Sequence, residues 1–485
     1  MTDFFANFRM LIDGELVSGG ATLEVINPAT GHAIAQAPDA SEAVLDRTVA
    51  AAQAAFASWR TMPVAERGAH LARAADIIEA NADDLAALFC REQGRPTAFA
   101  REEIVGAVLW LRANATMEIP IEIIEDSAER RIEVHHEPLG VVCGIVPWNF
   151  PVAQASWKIG PPLLAGNTVV IKPSPFTPLC TLKIGELLKD VFPPGVLNII
   201  SGGDALGPMM TAHSGFRKIS FTGSTKTGKL VMETAAHDLK RVTLELGGND
   251  AAIVLPDADL DVVAPQIFFG AFFNSAQICA AIKRLYVHES IYDDLRDRLV
   301  AMARDATLGD GSEQGTMFGP IQNRRQYQRV LDLLDQARAS GLTLLQGRQG
   351  PQGDGYFIPL TIVDNPPEDA PVVSEEAFGP ILPMLKFSSI DDVVARANAT
   401  DYGLTASVWS RDVERAAVLA ARLETGTVWI NQILTLTPMS PAGGAKQSGM
   451  GVEGGIAGLL GYMQAKTIYI PKIGPVPAAS SVRAG

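Results

Sequence analysis

The sequence is poor in the features that mark metal, disulfide or nucleic-acid proteins. Its 485 residues hold four cysteines, Cys90, Cys143, Cys180 and Cys279, none in a CxxC or CxxH spacing, and seven histidines that form no HExxH. Neither a disulfide framework nor a structural zinc site is indicated. Basic residues are in the minority: 40 lysines and arginines stand against 54 aspartates and glutamates, a formal net charge of -14. That balance leaves no electrostatic footprint for nucleic acid or an anionic membrane. Long apolar runs are missing too. The longest, around residues 141–155, contains Pro147, Asn149 and Pro151 and is too short to span a bilayer. Asp13 and Glu15 interrupt the start where a secretory signal would be apolar. Repeats and low-complexity tracts are absent. These absences predict a cytoplasmic protein with free thiols that binds neither nucleic acid nor membrane.

What is present is a globular composition, 47% hydrophobic and 19% charged. At roughly 150 residues per domain, the length suggests about three domains. The first 35 residues read as an extended arm, with short strands at 16–17 and 23–26 and a turn at Asn27-Pro28-Ala29-Thr30-Gly31. Ser41 stands as an N-cap before a helical run to Trp59. A second helix is expected from Pro63 to Cys90 and a third from Phe99 to Ala115. Between about 119 and 138 the pattern alternates, as in Arg131-Ile132-Glu133-Val134-His135, which predicts exposed strands. Short β-rich runs follow at 141–146, 168–171, 196–200, 218–221 and 241–245, with a helix at 181–191 among the segments between them. This order predicts a parallel, helix-covered sheet. A second α/β series runs from about Asp259 to Ile430, with strands at 281–288 and 427–431 and a glycine-rich loop at 347–355. The tail from Pro475 to Gly485 is expected to be disordered.

Gly223-Ser-Thr-Lys-Thr-Gly228-Lys229 fits the start of a P-loop, but position 230 is leucine where a magnesium-binding hydroxyl is needed. Nucleotide hydrolysis is therefore not expected. The strand, glycine turn and helix start remain a suitable place for a pyrophosphate.

Four segments occur in order: Pro147-Trp148-Asn149-Phe150-Pro151, Leu244-Glu245-Leu246-Gly247-Gly248-Asn249, Phe273-Asn274-Ser275-Ala276-Gln277-Ile278-Cys279 and Glu376-Ala377-Phe378-Gly379-Pro380. Together, with 34 positions separating Glu245 from Cys279, they resemble the aldehyde dehydrogenase superfamily of non-phosphorylating, NAD(P)-dependent enzymes. The resemblance extends to Gly443-Gly444-Ala445-Lys446-Gln447-Ser448-Gly449. It implies an α/β fold with a Rossmann-like cofactor domain (1–120, 139–246 and 441–466), a catalytic domain (247–440) and β oligomerisation segments (121–138 and 467–485). The ribbon and the stretch Thr467 to Pro471 match regions that pair between subunits, the latter by adding a strand to a partner's sheet, so a homodimer or homotetramer is expected.

The resemblance also implies roles. Cys279 is the nucleophile, a thiol suited to forming a thiohemiacetal and then a thioester. Glu245 deprotonates the water that cleaves the thioester. A glutamate at an apolar strand end either bonds to backbone or has a raised pKa, and a raised pKa suits a base. Asn149 supplies an oxyanion-hole donor. Lys172 binds the adenosine ribose, Gly223 and Ser224 flank the pyrophosphate, Glu376 takes the nicotinamide ribose, and Phe378 packs near the nicotinamide, with Pro147 and Trp148 also at the cofactor. Phe150, Ile278 and Leu436 line the substrate channel. The segment 432–439 lacks arginine, which points to a neutral aliphatic or aromatic aldehyde. Three departures stand out: Pro175 replaces a glutamate found in many NAD-preferring relatives, Ala276 a usual glycine, and Ala442 a common phenylalanine. NAD is the expected cofactor, with NADP possible. A relative that passes its acyl group to coenzyme A commonly lacks the base, and a non-catalytic relative would have lost Cys279, Asn149 or Glu245.

Overall fold

A computed structural model describes residues 4–472 and Gly474; the expected disordered tail lies outside them. The first sheet has eight strands in the order Glu15–Val17, Met10–Ile12, Leu197–Ile199, Thr168–Lys172, Val141–Ile145, Phe216–Thr222, Arg241–Glu245 and Gly449–Met450. The five from Leu197–Ile199 to Arg241–Glu245 are parallel, and the flanking strands are antiparallel. Valine and isoleucine fill the central strands because both faces are covered: Val142, Val169, Val170, Ile171 and Ile219 are fully buried. The chain winds outward both ways from Val141–Ile145. A topological switch point therefore opens between the carboxyl ends of Val141–Ile145 and Phe216–Thr222, the place where such sheets bind ligands.

The second sheet has seven strands: Leu344–Gln346, Thr361–Asp364, Ile381–Phe387, Arg284–His288, Ala251–Val254, Thr405–Trp409 and Thr427–Ile430. All neighbours are parallel except the first pair. Its two faces are packed by separate apolar clusters, one around Leu334, Ile253 and Val408, the other around Phe272, Leu285 and Leu299.

The alternating ribbon forms antiparallel strands Glu122–Asp126 and Arg130–Pro138. Met463–Pro471 pairs over its whole length with Arg130–Pro138 of the same chain, completing a three-stranded sheet. Met463–Pro471 is an edge strand of that sheet among the described residues.

The helix expected to run from Pro63 to Cys90 is two helices, Val64–Ala80 and Ala82–Gln93. The break falls at Asn81, whose side-chain amide donates to the Ile77 carbonyl and competes with the helix ladder. The helix after Glu42 is capped as expected, with Ser41 Oγ accepting from Val44 N. The helix Pro151–Ala165 was not foreseen, because it contains Pro161 and Pro162. Both lie in its last turns, where Gly166 ends it with φ 95°. No helix among the described residues is long and apolar enough to cross a membrane.

Candidate active site

One cavity lies at the switch point of the first sheet. Its lining includes Pro147, Trp148, Asn149, Phe150, Gly223, Ser224, Cys279, Glu376 and Phe378. Nine residues singled out from four distant stretches of sequence thus face one space. Gln154, Thr222, Leu246, Gly247, Gln326 and Arg329 complete the wall.

Glu245 ends the strand beside it, paired in register with Thr222, and the Gly223 N–H donates to its main-chain carbonyl. The Glu245 side chain is buried, and its Oε1 has no hydrogen-bond partner. Burial therefore raises its pKa well above the carboxylate range, the Glu453 charge raises it further, and Lys158 opposes. Lys158 and Glu453 are themselves fully buried and paired at 3.1 Å. Glu453 Oε1 also accepts from Ser220 Oγ at 3.0 Å, and Lys158 donates to Thr222 Oγ1 at 2.9 Å. Sequence reading missed this pair. Its available signal was a lysine in a mostly apolar stretch, and nothing marked the partner.

Cys279 follows a loop held by many hydrogen bonds. Asn274, Ser275 and Ala276 all have left-handed φ values of 53°, 52° and 61°, costly for residues with a Cβ. Glycine at 276 would adopt this conformation freely. Ser275 Oγ donates to Gly319 O, Gln277 Nε2 to Asn274 O and Pro320 O, and Gln322 N to Gln277 Oε1. These contacts fix the backbone that presents the thiol. Burial pushes the Cys279 thiol up to about 12, against the attraction of Lys283. The Cys90, Cys143 and Cys180 thiols are buried, whereas Cys279 is partly exposed.

Asn149 sits across from this loop, its Nδ2 donating to Gln277 O at 2.9 Å. Its main-chain carbonyl accepts from Arg95 Nη2 at 2.6 Å and Asn274 Nδ2 at 3.2 Å. Arg95 is fully buried, pairs with Glu103 at 2.6 Å and lies 4.2 Å from the Phe150 ring centre. Glu103 Oε1 in turn accepts from Val152 N and Ala153 N, capping the helix that Asn149 precedes.

The residues expected at a dinucleotide fit one. A Cβ on Gly223 would lie 2.5 Å from the Phe221 ring, and one on Gly247 would lie 2.3 Å from Glu376 Oε2, so the backbone is bare at both places. Ser224 Oγ caps the helix Thr225–Ala236, whose free N–H groups suit a phosphate. Trp148 and Phe378 meet edge to face at 5.4 Å. Lys172 lies outside the cavity lining, at the end of the next strand but one from Phe216–Thr222; burial lowers its pKa to about 8, opposed by Asp204, Cys143 and Asp39. Ile278 is buried with Trp429 and Leu404, and Phe150, Ile433 and Leu434 pack against that cluster. Leu436 is 37% exposed and belongs to neither that cluster nor the cavity lining, while the carbonyl of Thr435 before it accepts from Trp429 Nε1.

The aldehyde dehydrogenase family model matches residues 16–468. The chain belongs to the aldehyde dehydrogenase family. This aldehyde dehydrogenase is 40% identical to aldehyde dehydrogenase LUC3 of a Fusarium species, over 96% of this chain and all of that one. It is also 40% identical to retinal dehydrogenase 2 of Gallus gallus, over 93% of this chain and 89% of the relative. Its fold matches the NAD+ complex of an aldehyde dehydrogenase from Bacillus cereus with a TM-score of 0.94 at 38% identity, covering 96% and 97% of the two chains. It is an enzyme of the NAD(P)-dependent class that oxidises aldehydes.

Proposed function

We propose that this aldehyde dehydrogenase converts a neutral aliphatic or aromatic aldehyde to its carboxylic acid, preferring NAD. The observation that carries the proposal is the convergence of the Cys279 thiol, the Asn149 amide and the Glu376 carboxylate on one cavity, beside the unpartnered Glu245 carboxyl. Cys279 attacks the carbonyl carbon as the thiolate, giving a thiohemiacetal. Asn149 Nδ2 and the Cys279 N–H stabilise the oxyanion. A nicotinamide, when bound, would supply the hydride acceptor for thioester formation. Lys172, Gly223, Ser224, Glu376 and Phe378 would hold that cofactor, with Pro147 and Trp148 beside it. Glu245 then takes a proton from the water that opens the thioester, and the carboxylic acid leaves. The buried charges of Lys158 and Glu453 set how readily Glu245 holds that proton.

Apolar Phe150, Ile278, Ile433 and Leu434 support a neutral substrate, and retinal dehydrogenase 2 is a relative named for an apolar one. The Asp39 and Asp204 charges acting on Lys172 support NAD, since they oppose a 2'-phosphate where Pro175 cannot. Glu245 speaks against transfer to coenzyme A. Residues 1–120, 139–246 and 441–466 serve as the cofactor lobe and 247–440 as the catalytic lobe. Exposed Ile123, Ile124, Tyr469 and Ile470 on the three-stranded sheet, with Ile121 just before it, support a homodimer or homotetramer, and the free cysteines fit a cytoplasmic location.

An absorbance assay for reduced cofactor, across an aldehyde panel with NAD and NADP, tests the proposal. Cys279→Ala should lose at least ~10³-fold in kcat. Activity on no aldehyde, or full activity in the variant, would refute it.

A further inference from the structure

Lys283 has no place in the roles assigned so far, yet it lies at the centre of the site. Its own N–H and that of Arg284 both donate to Asp250 O, which anchors the entry to the strand Arg284–His288. From there the side chain, only 8% exposed, turns back towards the nucleophile. The Lys283 ammonium donates to the Cys279 main-chain carbonyl and lies 3.3 Å from Glu376 Oε1. The same carboxylate oxygen accepts from Gly248 N at 3.1 Å. Glu376 Oε2 has no hydrogen-bond donor among the described residues, and it rests against Gly247, where a Cβ would approach to 2.3 Å. A Cβ on Gly248 would come within 2.8 Å of Cys279 O. Two bare glycines thus let a carboxylate, an ammonium and the nucleophile's carbonyl share one small volume.

We propose that Lys283 is a positioning residue that pins one oxygen of Glu376 and leaves the other for a ribose hydroxyl, while offsetting the carboxylate charge around Cys279. The proposal rests on the reading of Glu376 as the acceptor for the nicotinamide ribose. Without the ammonium, a single backbone N–H would hold Glu376, and its carboxylate could swing in the cavity. The charge argument is independent of that swing. Glu245, Asp250 and Glu376 all disfavour the Cys279 thiolate, and Lys283 favours it. Asp250, itself buried with its pKa raised to about 6, is bonded by Thr405 N and Oγ1 and feels Lys283 as well.

The test uses the full-length enzyme. The rate of iodoacetamide alkylation at pH 8 without cofactor reads the Cys279 thiolate fraction, because the other three thiols are buried; Cys279→Ala gives the blank. NAD affinity is read by tryptophan fluorescence. Lys283→Met should slow alkylation about 10-fold and weaken NAD by about 5- to 10-fold. Lys283→Arg, which keeps the charge, should leave the rate within about twofold. In a Glu376→Gln background, Lys283→Met should change NAD affinity by less than about twofold, because the pinned group is gone. Glu376→Gln alone, which keeps Lys283, should speed alkylation, so the charge argument is testable even where Lys283→Met does not fold. A folded Lys283→Met with native alkylation rate and native NAD affinity would overturn the proposal, as would an unchanged rate in Glu376→Gln. Neither readout needs turnover, so an enzyme that oxidises no aldehyde would defeat the proposed activity and leave this test standing.

Discussion

The two large sheets present the groups proposed to react in opposite ways. The first carries Glu245 on the last residue of a regular parallel strand, locked in register with Phe216–Thr222. The second carries Cys279 on an irregular loop ahead of the strand Arg284–His288, after three consecutive left-handed residues. At the strand end the unfavourable energy is electrostatic: a carboxyl is buried with one oxygen unpartnered. At the loop it is conformational: Asn274, Ser275 and Ala276 pay for φ values that their neighbours enforce. A base gains from burial, which raises its proton affinity, whereas a nucleophile gains from a fixed trajectory.

That contrast can be broken at either end. The largest effect is expected at the strand end. Lys158→Met leaves Glu453 buried without its cation and should cost about 3–5 kcal/mol of stability, read by denaturant unfolding, while moving the acidic limb of the activity profile to higher pH through Glu245. The sign follows from charge: Lys158 holds the Glu245 pKa down and Glu453 holds it up, so removing the lysine raises it. A variant with native stability and an unmoved pH profile would mean that the pair is not coupled to Glu245. Across the cavity, Asn149→Ala should lower kcat by about 10²–10³-fold with little change in NAD affinity, as measured by steady-state kinetics and cofactor titration. The smallest effect is expected on the loop. Ala276→Gly relieves one left-handed residue and should stabilise the enzyme by up to about 1 kcal/mol, seen as a higher Tm; a lower Tm would show that the loop carries no strain at this residue.

Much of this arrangement is legible from residues in a row. The Pro147–Pro151 segment, the Gly247-Gly248 pair and the Cys279 loop are contiguous, and the alternation of short apolar strands with helices shows an α/β chain. Asn81 is a quieter signal, since its side chain breaks a helix only by reaching the Ile77 carbonyl. Glu453 and Lys158 are beyond such reading, because 295 positions separate them and only the packing of Pro151–Ala165 against the first sheet brings them together. Lys283 was hidden differently. It lies four residues after Cys279, but a lysine just ahead of a strand looks like an ordinary solvated end until the fold closes Glu376 over it. No local pattern points from the late strand Met463–Pro471 to Arg130–Pro138, with which it pairs inside the chain.

The central claim is that Cys279 and Glu245 divide the reaction, one forming the acyl-enzyme and the other releasing it. Pre-steady-state mixing of Glu245→Gln with aldehyde and NAD examines this directly. The account predicts a rapid burst of reduced cofactor close to one per active site, followed by a steady rate slower than that of the native enzyme by at least about 100-fold. A steady-state rate equal to the native one, with no burst, would contradict it.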